Sequence, residues 1–435
     1  MELPEAFVRY TREVMGEDRF ARYLAAFDEE TPVSIRLAHH QAHPRPLPKG
    51  GEVVPWCPLG YYLPERPNFT FDPLLHAGCY YVQEAASMFL YHILSELSHQ
   101  SPLPWGGDGG GQGAGGRLSL FTLHSSLFTS LDLCAAPGGK STLLRSLLPD
   151  DCILFSNEPV RNRAQVLLEN VTKWGYPRHY VTNNYPRDYR RSKLKFDLIL
   201  CDVPCSGEGM FRKDPQTVSE WSPQNVEKCW QLQRDIVSDA WACLNDGGLL
   251  IYSTCTFNTK ENEENVRWMQ QTFDAEILPV SVRPEWNIQG SLLPDFHAPV
   301  YRFIPGITRS EGLFVCVLRK GGSPSPSSRK HTHSLLSGPV PSAVAKLGLS
   351  LLEPPALHVD GPCVELTYQQ AVAYLRRESL TLPPDAPRGL VEVTFHGHRL
   401  GTVKNLGSRA NNLYPKEWRI KSTYVPQTYQ PVIIE

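Results

Sequence analysis

The sequence predicts an α/β fold, with a parallel sheet covered by helices on both faces and a smaller block on either side. Four apolar runs, Leu131–Ala135, Ile153–Ser156, Phe196–Cys201 and Leu249–Ser253, read as buried strands separated by amphipathic stretches of helical period. Two breaks frame this alternation. Residues 106–116 hold eight glycines in eleven positions, and residues 321–328 read Gly-Gly-Ser-Pro-Ser-Pro-Ser-Ser. Neither composition builds a core. A chain of 435 residues also exceeds the size at which one core keeps growing. The expected division is 1–75, 76–320 with the glycine-rich insertion, a linker at 321–344, and 345–435.

The N-terminal block carries two amphipathic segments, the first over Ala6–Val14, and then Val33–Leu37, which suits a strand of a small α+β unit. Met1–Glu5 lacks the basic-then-apolar layout of a secretory signal, and no apolar run approaches the roughly 18 residues of a membrane span. A cytoplasmic chain with no membrane attachment is expected. Eleven cysteines without a C-x-x-C pair argue against a disulfide framework and against zinc, so reduced thiols are expected. His39, His40 and His43 lie close together but lack a cysteine at ligand spacing, and no metal is predicted. The formal net charge of −2 means that any nucleic-acid contact must come from a local patch.

In α/β folds of this kind ligands bind at the carboxyl ends of the strands. After the first middle strand comes Leu131-Asp132-Leu133-Cys134-Ala135-Ala136-Pro137-Gly138-Gly139-Lys140-Ser141. Its glycines let backbone approach a ligand just before helix amides point at it. Cys134–Ser141 also fits the phosphate-loop pattern G-x-x-x-x-G-K-[ST] everywhere except at Cys134, and Leu198–Asp202 resembles a strand ending in a magnesium-binding Asp. A P-loop NTPase is therefore the second reading. Glu158 separates the two, because an acid about 20 residues past the glycines suits ribose hydroxyls and a P-loop enzyme does not need it. Cys205, in Asp202-Val203-Pro204-Cys205-Ser206-Gly207, and Cys255, in Ser253-Thr254-Cys255-Thr256, both follow apolar strands. Cys134, Cys152, Cys201, Cys243 and Cys316 read more simply as small buried apolar groups.

Taken together, Cys134–Ser141, Asp202–Gly207 and Ser253–Thr256 resemble the signature motifs of the Sun/Nop-type RNA (cytosine-5) methyltransferases over roughly residues 75–320. Tyr81–Ser87 is similar to that family's pre-catalytic element, and Met210–Pro215 to its usual continuation after the Cys205 motif. With a domain on each side, the layout is similar to bacterial RsmF-like ribosomal RNA methyltransferases. The resemblance implies a class I, Rossmann-like S-adenosylmethionine-dependent core with a PUA-like β-rich C-terminal domain. It also implies that Cys134, Ala135, Ala136, Pro137, Gly138, Gly139, Lys140, Glu158, Arg163 and Asp202 surround the cofactor. Tyr185 stands where the family commonly has an adenine-binding Asp, so either Asn184 takes over or the adenine is held by stacking.

Carbon 5 of cytosine is a poor nucleophile, so a thiolate must first add to carbon 6. The resemblance gives that role to Cys255 and release of the carbon 5 proton to Cys205. To ionise, Cys255 needs a nearby positive field such as Lys140, a helix N-terminus or the sulfonium itself, and Asp202, if protonated or sharing a proton with the ring nitrogen, would stabilise the adduct. In the last block Arg399, Lys404, Arg409, Lys416, Arg419 and Lys421 face a lone Glu417, with Tyr414 and Trp418 among them. Such a stretch suits a backbone-tracking, base-stacking surface, and equally the solvated face of a small β domain. Leu390–Phe395 followed by His396–Arg399 predicts a hairpin. Deleting 345–435 is expected to weaken RNA binding and spare cofactor binding. The expected partner is RNA, ribosomal RNA or the small subunit above all, and the expected state a monomer. A catalytically silent RNA-binding fold is the third reading.

Overall fold

The computed structural model describes residues 2–38, 47–100, 128–322, 326–336, 338–422 and 424–434. The glycine-rich insertion and His39, His40 and His43 lie outside the described residues.

The central sheet runs Glu276–Leu278, Leu313–Arg319, Leu244–Thr254, Phe196–Asp202, Thr129–Asp132, Ile153–Asn157, His179–Thr182 and Leu351–Leu352, with Tyr301–Phe303 pairing beside Leu313–Arg319. The five inner strands, from Leu244–Thr254 to His179–Thr182, are parallel, and those outside them are antiparallel. Alternate side chains enter opposite cores. Leu198, Leu200, Leu249 and Ile251 pack with Leu143, Leu144 and Leu147 on one face, while Ile199, Cys201, Leu250 and Tyr252 pack with Ile236, Val237 and Ala240 on the other. Burial on both faces is why these strands read as continuous apolar runs. The chain order reverses between Thr129–Asp132 and Phe196–Asp202, and at such a switch point a crevice opens above the strand ends.

The N-terminal sheet has the order Glu52–Val54, Cys57–Leu63, Val33–Leu37, Tyr80–Val82, antiparallel throughout. Its last strand lies beyond residue 75, so the N-terminal unit closes only with residues placed in the middle block. The stretch 321–344, whose composition reads as a linker, contains the helix Pro326–Leu335 and the start of Val340–Lys346. Leu336, Val340, Ala343, Val344 and Leu349 join the same core as Leu250 and Phe314. The breakers cluster ahead of Arg329, and the apolar residues after them recur at helical spacing.

The C-terminal sheet runs Cys363–Glu365, Gly389–Phe395, His398–Asn405, Ala410–Asn412, with the expected hairpin turning at His396-Gly397. Lys404, Arg409, Lys416, Arg419 and Lys421 are exposed, but Tyr414 and Trp418 are buried, so the expected base-stacking role of those two rings is not available. Their rings pack on Tyr374, on each other and against Lys173. Apolar side chains of the first and last blocks form one core: Ile35, Leu37, Phe69 and Leu74 lie in the same cluster as Val391, Val403, Trp418 and Ile433. Among the described residues no helix is long and apolar enough to cross a membrane.

Candidate active site

The loop after Thr129–Asp132 turns on Gly138, whose φ of 117° suits glycine, and the helix Gly139–Leu147 begins at the next residue. An added Cβ on Gly139 would meet the Tyr81 ring at 3.3 Å, so the loop lies tight under the Tyr81–Ser87 segment. The helix start is gripped from the N-terminal sheet. Arg36, fully buried and 4.5 Å over the Trp174 ring, donates to Gln83 Oε1 at 2.7 Å, to Thr142 Oγ1 at 2.6 Å and to the Gly139 carbonyl at 3.3 Å.

Ser141 carries the hydroxyl that a phosphate loop would give to magnesium, but it is fully buried and donates to Asp132 Oδ2 at 2.5 Å. Lys140 Nζ lies 2.9 Å from Asp202 Oδ2. Both residues of the Lys-Ser pair are thus committed within the sheet edge, which removes the main support for the P-loop reading. Burial pulls the Lys140 ammonium down, and the Asp202 carboxylate more than reverses this, so its pKa ends above the usual lysine value. The other Asp202 oxygen accepts from Ser253 Oγ at 2.7 Å.

Cys205 Sγ and Cys255 Sγ are 3.3 Å apart. The bond to Cys255, then burial, raises the Cys205 pKa well above the ordinary thiol value. Two buried carboxylates tie the loops that carry these thiols. Glu208 accepts from the Phe257 and Asn258 amides at 2.7 and 3.0 Å and from the Trp221 indole at 3.0 Å. Glu261 accepts from the Ser206 amide at 3.0 Å and from Gln233 and Asn258 side chains at 2.6 and 2.7 Å. Gly209 N donates to the Cys255 carbonyl at 2.7 Å, and a Cβ on Gly209 would stand only 2.5 Å from that oxygen.

These elements enclose a cavity of about 480 Å³. Cys134, Ala135, Ala136, Pro137, Gly139, Lys140, Arg163, Asp202 and Cys255 line it. Of the remaining residues singled out in the sequence, Cys205 is not in the lining but has its sulfur 3.3 Å from that of Cys255. Gly138 packs toward Leu167. Glu158 is buried, accepts from the Val160 amide at 2.9 Å and sits 3.4 Å from Arg163, which also donates to the Ala136 carbonyl at 3.2 Å. Asn184 is not in the lining. Its side-chain amide donates to the Ser350 carbonyl at 3.1 Å and its oxygen accepts from the Ser350 amide at 2.8 Å, while Tyr185 is exposed beside Arg187. Sequence reasoning gave no role to Arg36, Glu208, Glu261 or Glu311, and quoted Gln83, Lys213 and Ser253 only as members of longer motifs. Arg36, a lone cation in an apolar strand, offered a signal of its own.

Comparison with known proteins matches three stretches of the chain. Residues 125–319 match the family described as 16S rRNA methyltransferase RsmB/F, residues 3–85 the N-terminal domain of 16S rRNA methyltransferase RsmF, and residues 362–420 the methyltransferase RsmF PUA domain. Among similar proteins, a ribosomal RNA small subunit methyltransferase F from Pectobacterium carotovorum is 34% identical over 64% of this chain and 53% of its own length. One of the same name from Cronobacter sakazakii is 31% identical over 74% and 64%. The matches to these two relatives thus span less than two thirds of their length, whereas a Salmonella heidelberg counterpart, 28% identical, aligns over 95% of this chain and 96% of its own. Two solved structures from Pyrococcus horikoshii share the fold. A methyltransferase homolog has a TM-score of 0.53 at 21% identity, covering 73% of this chain and 100% of the other. NSun6 with SFG has a TM-score of 0.55 at 18% identity, covering 74% and 99%.

Proposed function

Because this chain belongs to the RsmB/F family of 16S rRNA methyltransferases, we propose that it transfers a methyl group from S-adenosylmethionine to carbon 5 of a cytosine in RNA. The substrate is 16S ribosomal RNA, met in the cytoplasm by a monomeric enzyme. One observation carries the reading: two thiols 3.3 Å apart, one of which shares a cavity with an ion-paired Lys140 and Asp202.

The cavity fits the cofactor. Its volume lies in the range of small-molecule sites, Gly139 lines it at the helix start, and among the described residues Asp132 in its lining keeps one buried oxygen without a partner. Cys134 to Lys140, with Arg163 and the nearby Glu158, would hold the nucleoside and amino-acid ends. With Asn184 occupied by Ser350, adenine would be held by stacking rather than by that amide. When bound, S-adenosylmethionine supplies an electrophilic methyl group.

The protein's own groups do the rest. Cys255 Sγ bonds to carbon 6 of the cytosine and the ring electrons shift toward carbon 5, making it nucleophilic. The Lys140 ammonium brings positive charge into the cavity that Cys255 lines. Asp202, oriented by Lys140 and Ser253, shares a proton with the ring nitrogen and so offsets the negative charge that the addition pushes onto the ring. After methylation the carbon 5 proton must leave before the Cys255–carbon 6 bond can break. Cys205, 3.3 Å from the Cys255 sulfur, is placed to take it in its thiolate form.

Incubating variants with S-adenosylmethionine and a 16S rRNA transcript tests this. Cys255→Ala is expected to lose both product and covalent adduct, and Cys205→Ala to accumulate protein attached to RNA on denaturing gels. Near-normal methylation by Cys255→Ala would refute the assignment. Normal S-adenosylhomocysteine binding by wild type without any methyl transfer would favour the silent RNA-binding fold.

A further inference from the structure

Asp202 has both oxygens engaged, by Lys140 and Ser253. A second carboxylate in the same cavity does not. Glu311 is 2% exposed and lines the cavity together with Cys255, Lys140 and Asp202. Its Oε1 accepts from Arg212 at 2.8 Å, and among the described residues its Oε2 is buried with no hydrogen-bond partner. A buried acceptor left empty is costly, so such an atom is expected to be matched by a donor when the cavity fills.

The surroundings fix where Glu311 points from. Its amide donates to Glu84 Oε1 at 3.1 Å, Arg212 also holds the carbonyl of Glu29 at 3.1 Å, and a Cβ on Gly209 would touch both the Cys255 and Glu311 carbonyls. The carboxylate is therefore held on the wall that carries the nucleophile. Beside it the cavity opens past Glu84 and Lys213 into a groove lined by Ser34, Arg66 and Arg212. That basic groove is where an RNA backbone would lie with its base turned inward.

We propose that Glu311 is a specificity-determining residue: its free carboxylate oxygen accepts a hydrogen bond from the exocyclic amino group of the target cytosine and turns away uracil. Chemistry at carbon 6 and carbon 5 does not by itself separate the two bases. They differ at carbon 4, where cytosine presents an N–H donor and uracil an oxygen acceptor. A carboxylate acceptor pairs with the first and repels the second. The proposal rests on the methyltransferase reading above and names how that site selects its base.

The test uses 16S rRNA transcripts made with 5-fluorocytosine or with 5-fluorouracil, the full-length protein and S-adenosylmethionine. A fluorine at carbon 5 blocks release and leaves a covalent protein–RNA band on a denaturing gel. Wild type should form the band with 5-fluorocytosine alone. Glu311→Gln should trap 5-fluorocytosine at least about tenfold more slowly and gain trapping of 5-fluorouracil, as expected for loss of one base-edge contact. Glu311→Asp keeps the charge opposite Arg212 while withdrawing the oxygen. It should slow on 5-fluorocytosine without gaining 5-fluorouracil, so the idea stands or falls even if the Gln variant folds poorly. Isothermal titration with S-adenosylhomocysteine reports whether each variant keeps an intact cofactor site. Wild-type trapping rates on 5-fluorocytosine in a variant that binds S-adenosylhomocysteine normally would overturn the role of Glu311. No band from wild type with either transcript would overturn the methyltransferase reading, and this inference with it.

Discussion

Around the paired thiols, carboxylates decide how the loops are held. Burial, then the neighbouring Glu208, lifts Glu261 from 4.5 to about 7. The folded chain thus binds that proton more tightly than the unfolded chain does. Stability from this source is complete below pH 4.5 and is lost as pH rises through about 7. Urea unfolding measured from pH 5 to 8 should show a decline on the order of 3 kcal/mol that shrinks in Glu261→Gln. An unchanged pH slope in that variant would assign the decline to other groups. Lys140, Asp202, Cys205 and Cys255 were legible in the sequence because each follows directly on a glycine-rich turn or an apolar run. Glu208, Glu261 and Glu311 were not. Each has a partner about 50 residues away or more, such as Ser206 for Glu261 and Phe257 for Glu208, and a lone Glu carries no mark of being buried.

At the level of elements, the strand Val33–Leu37 does more than complete the N-terminal sheet. Through Arg36 it fixes the first turn of Gly139–Leu147, where the cofactor loop ends. Arg36→Leu leaves Gln83, Thr142 and the Gly139 carbonyl without their donor. A loss of about 3 kcal/mol of stability is expected. S-adenosylhomocysteine affinity should also fall roughly tenfold by calorimetry, whereas an unchanged affinity would mean that the strand supports the loop only mechanically. The buried parallel strands were visible because burial on both faces writes continuous apolar runs into the sequence. The helices at 326–335 and 340–346 were hidden because their breakers come first and the apolar spacing that follows is short. Strand Leu351–Leu352 escaped notice for a different reason. Two residues carry no period, and their pairing with His179–Thr182 is set by Ser350 and Asn184.

For the molecule as a whole, the three blocks expected from composition do not divide the interior. The core that contains Ile35, Leu37 and Phe69 also contains Val391, Val403 and Ile433. Removing 345–435 therefore does not simply detach an RNA-binding module. It strips one edge strand from the central sheet, frees Asn184 and uncovers the N-terminal sheet. A chain ending at residue 344 should melt at least about 10 °C lower than the full chain and bind a hydrophobic dye. An unchanged melting temperature would show the shared core to be weak. The full chain should unfold in one transition seen alike by fluorescence and circular dichroism.

The pairing of Ile433–Ile434 with Leu47–Pro48 carries this into the making of the protein. A nascent chain leaves the ribosome N-terminus first, so Ile35, Leu37 and Phe69 emerge long before the residues that cover them. The central sheet can close while synthesis continues, but the first domain waits for the last. Its apolar face stays open through most of translation, which makes the early chain a natural client for chaperones and makes premature termination costly to solubility.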